Sequence, residues 1–231
     1  MSSFLFAGDP HGNFRPIVTA ALKDKPKAVV LLGDYDLAMP LDQEMKPVIE
    51  AGIEVWWIRG NHDADRGSWH DFLFGSALAD FDLNGRVIDI GGLRIAGLGG
   101  VFDPKVWHPG LNNGEPTHRS PDALAEALSW RPSTSPGPVR NGIPLRHRSA
   151  IFWSDYEALW DQRADILVTH EAPDSHRHGF RALGELAEAM GVSVIIHGHH
   201  HEAYEGQTAG GVRVIGVDRE AVVGWPGADF I

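Results

Sequence analysis

Residues 4–13 read Phe-Leu-Phe-Ala-Gly-Asp-Pro-His-Gly-Asn, an apolar run followed at once by an acidic residue and a histidine. Four apolar residues bounded by a glycine are typical of a buried strand. Asp9 and His11 lie two residues apart on the irregular segment that follows, where flanking glycines let the backbone approach a ligand closely. Taken alone, the motif has a second interpretation, a turn in which Asp9 and Asn13 cap backbone groups.

The same arrangement recurs along the chain. Short apolar runs predict strands at residues 4–7, 28–32, 53–58, 166–169 and 192–196. Segments with helical periodicity lie between them, at residues 14–23, 41–51, 123–130, 153–160 and 180–190. Two further pairs, 85–90 with 93–98 and 203–208 with 212–217, are each split by two glycines and predict β-hairpins. The alternation is that of an α/β protein, in which ligands bind beyond the carboxyl ends of the strands.

Polar residues gather at those predicted strand ends. Beyond Asp9 and His11 they are Asp34, Asn61, His62, Asp63, His170, His197, His199, His200 and His201. These positions hold seven of the 13 histidines of the chain, which chance placement would scatter. A buried polar group without a partner is costly, whereas grouped His and Asp side chains are stabilised by a shared cation. The set therefore predicts a metal site rather than isolated core residues.

The order GDxH, GD, GNHD, a lone His after a strand, and GHxH resembles the calcineurin-like metallophosphoesterase superfamily, with motifs from Asp9 to His201. The resemblance implies an α/β fold, a two-sheet αββα sandwich, and two divalent metal ions, which are manganese, iron or zinc depending on the member. It places the metal ligands, ion by ion, as Asp9, His11 and His201 for the first and Asn61, His170 and His199 for the second, with Asp34 bridging both.

Such a site hydrolyses phosphate esters with water, because two metals about 3.5 to 4 Å apart share a hydroxide and neutralise charge on phosphorus. The resemblance gives His62 the role of proton donor to the departing oxygen, and Asp34 and Asp63 also count among the catalytic residues. The family often carries a second Asp that orients this histidine, at a position occupied here by Leu37. Asp36 or Asp63 is expected to substitute for it.

The leading prediction is thus a hydrolase of phosphomonoesters or phosphodiesters. Protein Ser/Thr phosphatases of the superfamily continue GDxxDRG, and the arginine of that motif is missing after Asp34. The opening around Asp9 also resembles dinucleoside polyphosphate hydrolases. A non-catalytic scaffold with this fold is the remaining alternative, against which stands the retention of all seven matched ligands and of His62. The physiological substrate stays open.

We expect a single domain over residues 1–231 with a Pro-rich insertion or cap at about 101–150, which holds eight of the 15 prolines. Its stretch 132–144 has no clear periodicity, which is typical of a lid or of a disordered loop. Residues 129–150 include Arg131, Arg140, Arg146 and Arg148 but no acidic residue. We expect Arg146 and Arg148 to bind the substrate phosphate together with His62; the alternative is that the loop arginines are solvated or pair with acidic patches elsewhere on the surface. Arg59 and Arg177 are other candidates for the missing arginine.

Composition limits the remaining possibilities. The net charge of −11 argues against an extensive nucleic-acid surface, although it does not exclude a small phosphate ester. The absence of cysteine excludes disulfides, thiolate metal sites and thiol nucleophiles. No apolar stretch approaches about 18 residues and no signal peptide is recognisable, so we expect a cytoplasmic protein without a membrane segment. The sequence does not indicate an oligomeric state.

Overall fold

The computed structural model describes residues 3–129 and 137–226. Its strands are β1 (Phe4–Ala7), β2 (Ala28–Leu31), β3 (Glu54–Trp57), β4 (Arg86–Ile90), β5 (Leu93–Leu98), β6 (Val139–Arg140), β7 (Ile143–Pro144), β8 (Ile166–Thr169), β9 (Val194–His197), β10 (Tyr204–Gln207), β11 (Arg213–Gly216) and β12 (Val222–Trp225). Its helices are α1 (Arg15–Asp24), α2 (Leu41–Glu44), α3 (Lys46–Glu50), α4 (Gly67–Phe74), α5 (Pro121–Ser129), α6 (Trp153–Trp160) and α7 (Arg181–Met190).

The strands form two large sheets and one small ribbon. The first sheet has the order β12-β1-β2-β3, with β1, β2 and β3 parallel and β12 antiparallel to β1. The second has the order β10-β11-β9-β8-β5-β4, with a parallel centre and antiparallel pairs at both edges. These edge pairs are the two hairpins expected from the paired glycines, which confirms both.

The two sheets pack face to face. Phe4 and Phe6 of β1 belong to one buried cluster with Val168 of β8 and Ile196 of β9. Alternate residues of a strand point to opposite faces, so the residues between them pack outward. Trp56 and Trp57 of β3 follow this rule, because the first packs against the inter-sheet cluster and the second belongs to the cluster on the opposite face.

Helices cover both outer faces. Val29 of β2 packs with Ile17 of α1 and Val48 of α3, while Ile195 of β9 packs with Leu183 of α7. The order of layers is helix, sheet, sheet, helix, which confirms the predicted αββα sandwich. In the described part of the chain, no helix combines the length and the apolar character that a membrane crossing requires.

Most predicted helices lie within two residues of their expected bounds, and α6 coincides with them. The single helix expected at 41–51 was wrong, because the chain forms two short helices that are separated at Met45. Met45 N–H still bonds Leu41 O, but Pro47 has no N–H with which to continue the ladder. Strand β12 was not predicted, since Val222 and Val223 are too short a run to read as a strand.

Residues 101–150 contain more order than expected from their prolines. They include α5 and the ribbon β6-β7, whose turn at Asn141-Gly142 has φ values of 51° and 77°. Asn-Gly is a strong signal for such a tight turn, so this ribbon was predictable. The ends of the segment are held together by a bridge between Val101 and Ala150, and its 3₁₀ turn Leu145–His147 packs against the turn His62–Ala64.

Candidate metal centre

The candidate site lies at one end of the sandwich, where the carboxyl ends of β1, β2, β3, β8 and β9 meet. Several of its residues have a left-handed backbone, namely Asp9, His11, Asp34, Asp36, His199 and His201, with φ between 35° and 72°. This conformation is uncommon for residues other than glycine and costs free energy. Its concentration in loops that meet at one place indicates that the surrounding structure holds these side chains for a purpose other than stability.

Two buried carboxylates, Asp9 and Asp34, lie at the centre of the site. The His62 backbone N–H donates to Asp34 Oδ1 at 2.9 Å, and Asp34 Oδ2 is 3.4 Å from His170 Nε2. The His199 backbone N–H donates to Asp9 Oδ2 at 2.9 Å. Asp9 Oδ1 is buried and has no hydrogen-bond partner among residues 3–129 and 137–226. A carboxylate oxygen in this position is stabilised by a bound cation, so the donor set fits a metal ion.

One group of potential ligands surrounds His170. Its Nδ1 donates to Leu32 O at 2.7 Å, which fixes the tautomer and leaves Nε2 to bind a metal. His170 Nε2 is 3.0 Å from Asn61 Oδ1. A further group consists of Asp34, His170 and His199. Each offers one ligand atom, and these three atoms lie within 4.8 Å of one another. The structure thus brings together the four side chains that the sequence assigned to the second ion and the bridge.

A second group is formed by His11 and His201, whose Nε2 atoms are 3.1 Å apart. Two imidazole nitrogens that share one ion at about 2.1 Å lie roughly this far from each other. His11 Nδ1 is 3.0 Å from Asp36 Oδ2, so a carboxylate orients this ring as well. Asp36, one of two residues expected to orient His62, contacts His11 instead.

The partner of His62 is Asp65, whose Oδ2 is 2.7 Å from His62 Nδ1. Neither residue expected there, Asp36 or Asp63, makes this contact, and that prediction was wrong. Asp63 is buried and accepts the backbone N–H groups of Gly60, Asp34 and Tyr35 at 2.6, 3.1 and 2.8 Å. Its place is therefore between the loops after β2 and β3, which it ties together. Asp65 was missed because its position depends on the 3₁₀ turn after Asn61.

Charges in the site compensate one another. Burial raises the pKa of Asp9 to about 6, against an opposing effect of His170. Burial also acts to raise the pKa of Asp34, but the charge and hydrogen bond of His170 hold it well below its usual range. Burial acts to lower the pKa of His170, yet Asp34 and Asp9 raise it to about 10. A positively charged neighbour thus favours the ionised form of Asp34 despite its burial, whereas burial prevails at Asp9, and a divalent cation would favour the ionised form of both.

Gly60 allows the loops to approach this closely. A Cβ atom at this position would collide with Asp34 Oδ1 and would lie 2.6 Å from His170 Cε1. Real Cβ atoms do not approach a neighbour to this distance, and the neighbours are two candidate ligands. The glycine before Asn61 is thus required by the packing of the site itself.

Glu171 is a site residue that the sequence analysis missed. It directly follows His170, is buried, and has its pKa raised to about 7 by that burial. Its Oε2 is 3.8 Å from His199 Nε2, and its Oε1 accepts the Phe102 N–H at 3.3 Å. Its position directly after His170 was the feature of the sequence that could have identified it. His197, although it lies at the same strand end, has both ring nitrogens engaged by Gly198 O and the Tyr204 hydroxyl.

The candidate arginines separate into different environments. Arg146 Nε donates to His147 Nε2 at 3.1 Å, within the turn that packs against His62–Ala64. Arg148 Nε lies 3.3 Å from His70 Nε2, and its guanidinium lies over the ring of Phe74.

The other arginines named from the sequence are placed elsewhere. Arg140 forms a bidentate pair with Asp71, and the buried Arg59 donates to Ala150 O. Arg59 therefore anchors the end of the 101–150 segment. Arg177 is exposed in the loop after β8, and Arg131 lies outside the described residues.

Comparison with known proteins agrees with the fold. The family model described as calcineurin-like phosphoesterase matches residues 2–203. An uncharacterized protein of Haemophilus influenzae is 40% identical over 208 residues, which cover 88% of this chain and 85% of that protein.

Two solved structures share the fold. The protein TT1561 of Thermus thermophilus has a TM-score of 0.57 at 14% identity, over 95% of this chain and 90% of its own. A dimetal phosphatase from Danio rerio has a TM-score of 0.57 at 15% identity, over 96% and 89%.

Proposed function

Since the chain belongs to the calcineurin-like phosphoesterase family, we propose that it hydrolyses phosphomonoesters or phosphodiesters with the help of two divalent metal ions. The observation that carries the proposal is the buried Asp9 Oδ1, which lacks a hydrogen-bond partner in the described ranges and lies 3.7 Å from His170 Nδ1. The neighbouring candidate ligands offer carboxylate or amide oxygens and imidazole nitrogens, and this mixture suits manganese, iron and zinc alike.

The donors divide into two sets. Asp9, His11 and His201 would hold the first ion, and Asn61, His170 and His199 the second. The family resemblance makes Asp34 a ligand of both, and its Oδ2 lies 3.4 Å from His170 Nε2 of the second set. When bound, the two ions would supply an activated water nucleophile at neutral pH and neutralise charge that develops on the phosphoryl group.

The protein itself contributes order to these ligands. The Leu32 carbonyl fixes the His170 ring, and the Asp36 carboxylate fixes that of His11. Asp63 joins the loops that carry Asp34 and Asn61 through three backbone N–H groups. We assign Asp63 this positioning role, since it bonds no atom of His62.

His62 is the residue that we assign to proton transfer. Its side chain is 44% exposed, so a leaving group has access to it, and its Nδ1 is held by Asp65. Nε2 is then the atom that delivers a proton to the departing oxygen. Burial acts to lower the pKa of His62, but Asp34 and Asp65 raise it overall, which favours the protonated form that a general acid requires.

Arg146 is the arginine that we assign to the substrate phosphate. Its turn packs against that of His62, and His147, itself bonded to Asp103 at 2.6 Å, holds its Nε. We do not extend the assignment to Arg148, whose guanidinium lies against His70 and Phe74. Residues 101–150 would thus form a cap with one phosphate-binding group.

The test is to prepare metal-free protein and reload it with manganese, iron or zinc. We expect two equivalents of metal per chain and hydrolysis of an activated phosphomonoester or phosphodiester. A dinucleoside polyphosphate, assayed in parallel, separates the nucleotide-directed alternative. Protein that binds two equivalents of metal yet hydrolyses none of the three substrates would favour the scaffold alternative, and protein that binds no metal would refute the proposal.

A further inference from the structure

A cavity of about 520 Å³ opens between α6, α7 and the segment of residues 107–115. Its volume is within the range of small-molecule sites. None of the residues that line it belongs to the candidate metal centre. A ligand of this cavity would therefore bind apart from the candidate metal centre, and its binding does not rest on the proposed function.

Aromatic rings form the walls of this cavity: Trp107, Trp153, Tyr156 and Trp160. The Trp107 ring is nearly perpendicular to that of Trp153, at 83° and 5.0 Å between centroids, and meets that of Tyr156 at 65° and 4.9 Å. Because these ring planes are inclined to one another, aromatic rings bound the cavity on more than one side. Trp160 is 41% exposed at the edge of the cavity.

The polar atoms of the two most buried rings already have partners. Trp107 Nε1 donates to Gly114 O, and the Tyr156 hydroxyl donates to Ala182 O, each at 2.9 Å. These two rings therefore offer no free hydrogen-bond donor, and because they are only 2% and 4% exposed, ring contact with a ligand is left mainly to Trp153 and Trp160. The face of an aromatic ring carries partial negative charge and attracts cations.

Four carboxylates also line the cavity: Glu115, Glu157, Asp161 and Glu185. Glu185 pairs with Arg181 at 3.0 Å, and Glu157 with Arg119 at 3.7 Å. Within residues 3–129 and 137–226, no basic side chain lies within ion-pair distance of Glu115 or Asp161. The rim therefore carries negative charge that the described residues compensate only in part, and an anionic ligand is disfavoured.

The chain itself places a cation at one edge of this surface. The Arg119 guanidinium lies over the Trp153 ring, 5.4 Å from its centroid, and also pairs with Glu157. One indole face and one carboxylate thus already hold an organic cation here. Trp160, Glu115 and Asp161 line the same cavity, and in the described part of the chain no basic side chain pairs with these two carboxylates.

We propose that this aromatic and acidic cavity binds a small organic cation, a guanidinium or quaternary ammonium compound. The rings supply cation–π attraction and apolar contact, and Glu115 and Asp161 supply the opposite charge. A neutral molecule of the same shape gains only the apolar contact.

Tryptophan fluorescence and calorimetry of the full chain test the proposal with three probes: methylguanidinium, choline, and 3,3-dimethylbutan-1-ol, the neutral isostere of choline. We expect saturable binding of at least one cation, with an affinity ~10-fold or more above that of the neutral alcohol. Binding of both cations no tighter than that of the alcohol, or no saturable binding of either cation, would overturn the proposal.

Variants locate the binding. Glu115→Gln with Asp161→Asn should weaken cation binding ~5-fold or more, while the control pair Asp122→Asn with Glu126→Gln, exposed on α5, should leave it unchanged. The control pair removes the same number of negative charges, so it separates a local effect at the cavity from a general effect of net charge. Equal weakening by both pairs would place the cation elsewhere on the acidic surface.

Trp160→Ala adds a second test by removing a wall at the edge of the cavity. Its control is Trp69→Ala, because Trp69 lies under Arg66 at 4.6 Å but does not line the cavity. We expect the affinity for the cation to fall ~5-fold or more in the first variant and to be unchanged in the second. Undiminished binding in both Trp160→Ala and the Glu115/Asp161 variant would refute the assignment. The Glu115/Asp161 variant alters only exposed side chains, so we expect it to fold and to give a usable result.

Discussion

Among single residues, we expect Asp34 to have the greatest influence on the site, because the proposed assignment makes it the one ligand shared by both ions. We predict that Asp34→Asn lowers kcat by about 10²-fold or more and removes at least one of two bound ions, since a neutral amide holds two cations poorly. Metal analysis and steady-state kinetics measure both effects. Asp24→Asn, at the end of α1, is the control and should retain metal and turnover. Wild-type turnover in Asp34→Asn would contradict the bridging role.

His62 should affect chemistry without affecting metal content. We predict that His62→Ala lowers kcat by roughly 10² to 10⁴, the usual range for a positioned acid. Asp65→Asn should cause a smaller loss in the same direction, because it removes the carboxylate that orients the ring. Both losses should shrink on esters with good leaving groups, which need no proton. Losses that are equal on good and poor leaving groups would contradict proton donation.

The residues whose types fit a metal were predictable, but their mutual contacts were not. Asp9, His11, Asn61 and His170 follow strands, and strand ends of a parallel sheet meet at one edge. The carboxylates that orient the rings, Asp36 for His11 and Asp65 for His62, depend on left-handed or 3₁₀ loop conformations. Sequence periodicity carries no information about these, so the orienting residues became visible only in three dimensions.

At the level of elements, the turn Leu145–His147 carries Arg146, the insertion arginine that we assign to the substrate phosphate. We predict that Arg146→Ala lowers kcat/KM at least ~10-fold with unchanged metal content, a loss of about 1.4 kcal/mol of transition-state binding. Arg148→Ala should instead lower thermal stability and leave kcat/KM within ~3-fold, since its side chain packs on α4. Kinetics and thermal unfolding of the two variants provide the comparison. The opposite pattern would return Arg148 to the phosphate.

Asp103 stabilises the same turn through His147. Burial acts to raise the pKa of Asp103, but the hydrogen bond from His147 and the Lys105 N–H hold it below its usual value. A lowered carboxyl pKa means that ionised Asp103 stabilises the fold above about pH 4, and that this stability is lost as pH falls through the folded-state pKa.

We therefore predict that Asp103→Asn destabilises the metal-free protein by ~1 kcal/mol at pH 7 and by progressively less below pH 4. Denaturant unfolding at pH 7, 5 and 3.5 measures the difference from the wild type. Exposed Asp122→Asn is the control, for which we expect little change at any pH. A difference that grows on acidification would show that Asp103 is not stabilising in its charged form.

Elements were predictable where the sequence pattern is long and failed where a local rule competes. Helix α7 repeats its apolar positions over three turns, and its predicted bounds were correct to one residue. The segment 41–51 has a similar pattern, but Pro47 divides it. Strand β12 has only two β-branched residues, and its pairing with β1 comes from a contact across the whole chain.

For the whole molecule, the proposed ligands come from both sheets: Asp9, Asp34 and Asn61 follow strands of the first, and His170 and His199 follow strands of the second. Bound metal would therefore hold the two sheets together. We predict that metal removal lowers the Tm, and that stability rises with free metal concentration as RT ln(1 + [metal]/Kd), about 2.7 kcal/mol at 100 times Kd. Calorimetry with and without a chelator measures this, and an unchanged Tm would contradict a site shared between the sheets.

The separation of these ligands along the chain also affects how the protein is made. His11 and His201 contact each other across 190 positions, and β1 lies between β2 and the last strand, β12. Contacts of such high sequence separation form slowly and late. A nascent chain on the ribosome cannot complete the proposed centre until His201 has been synthesised, 190 positions after His11. Metal would therefore bind here late in folding and would not serve as its nucleus.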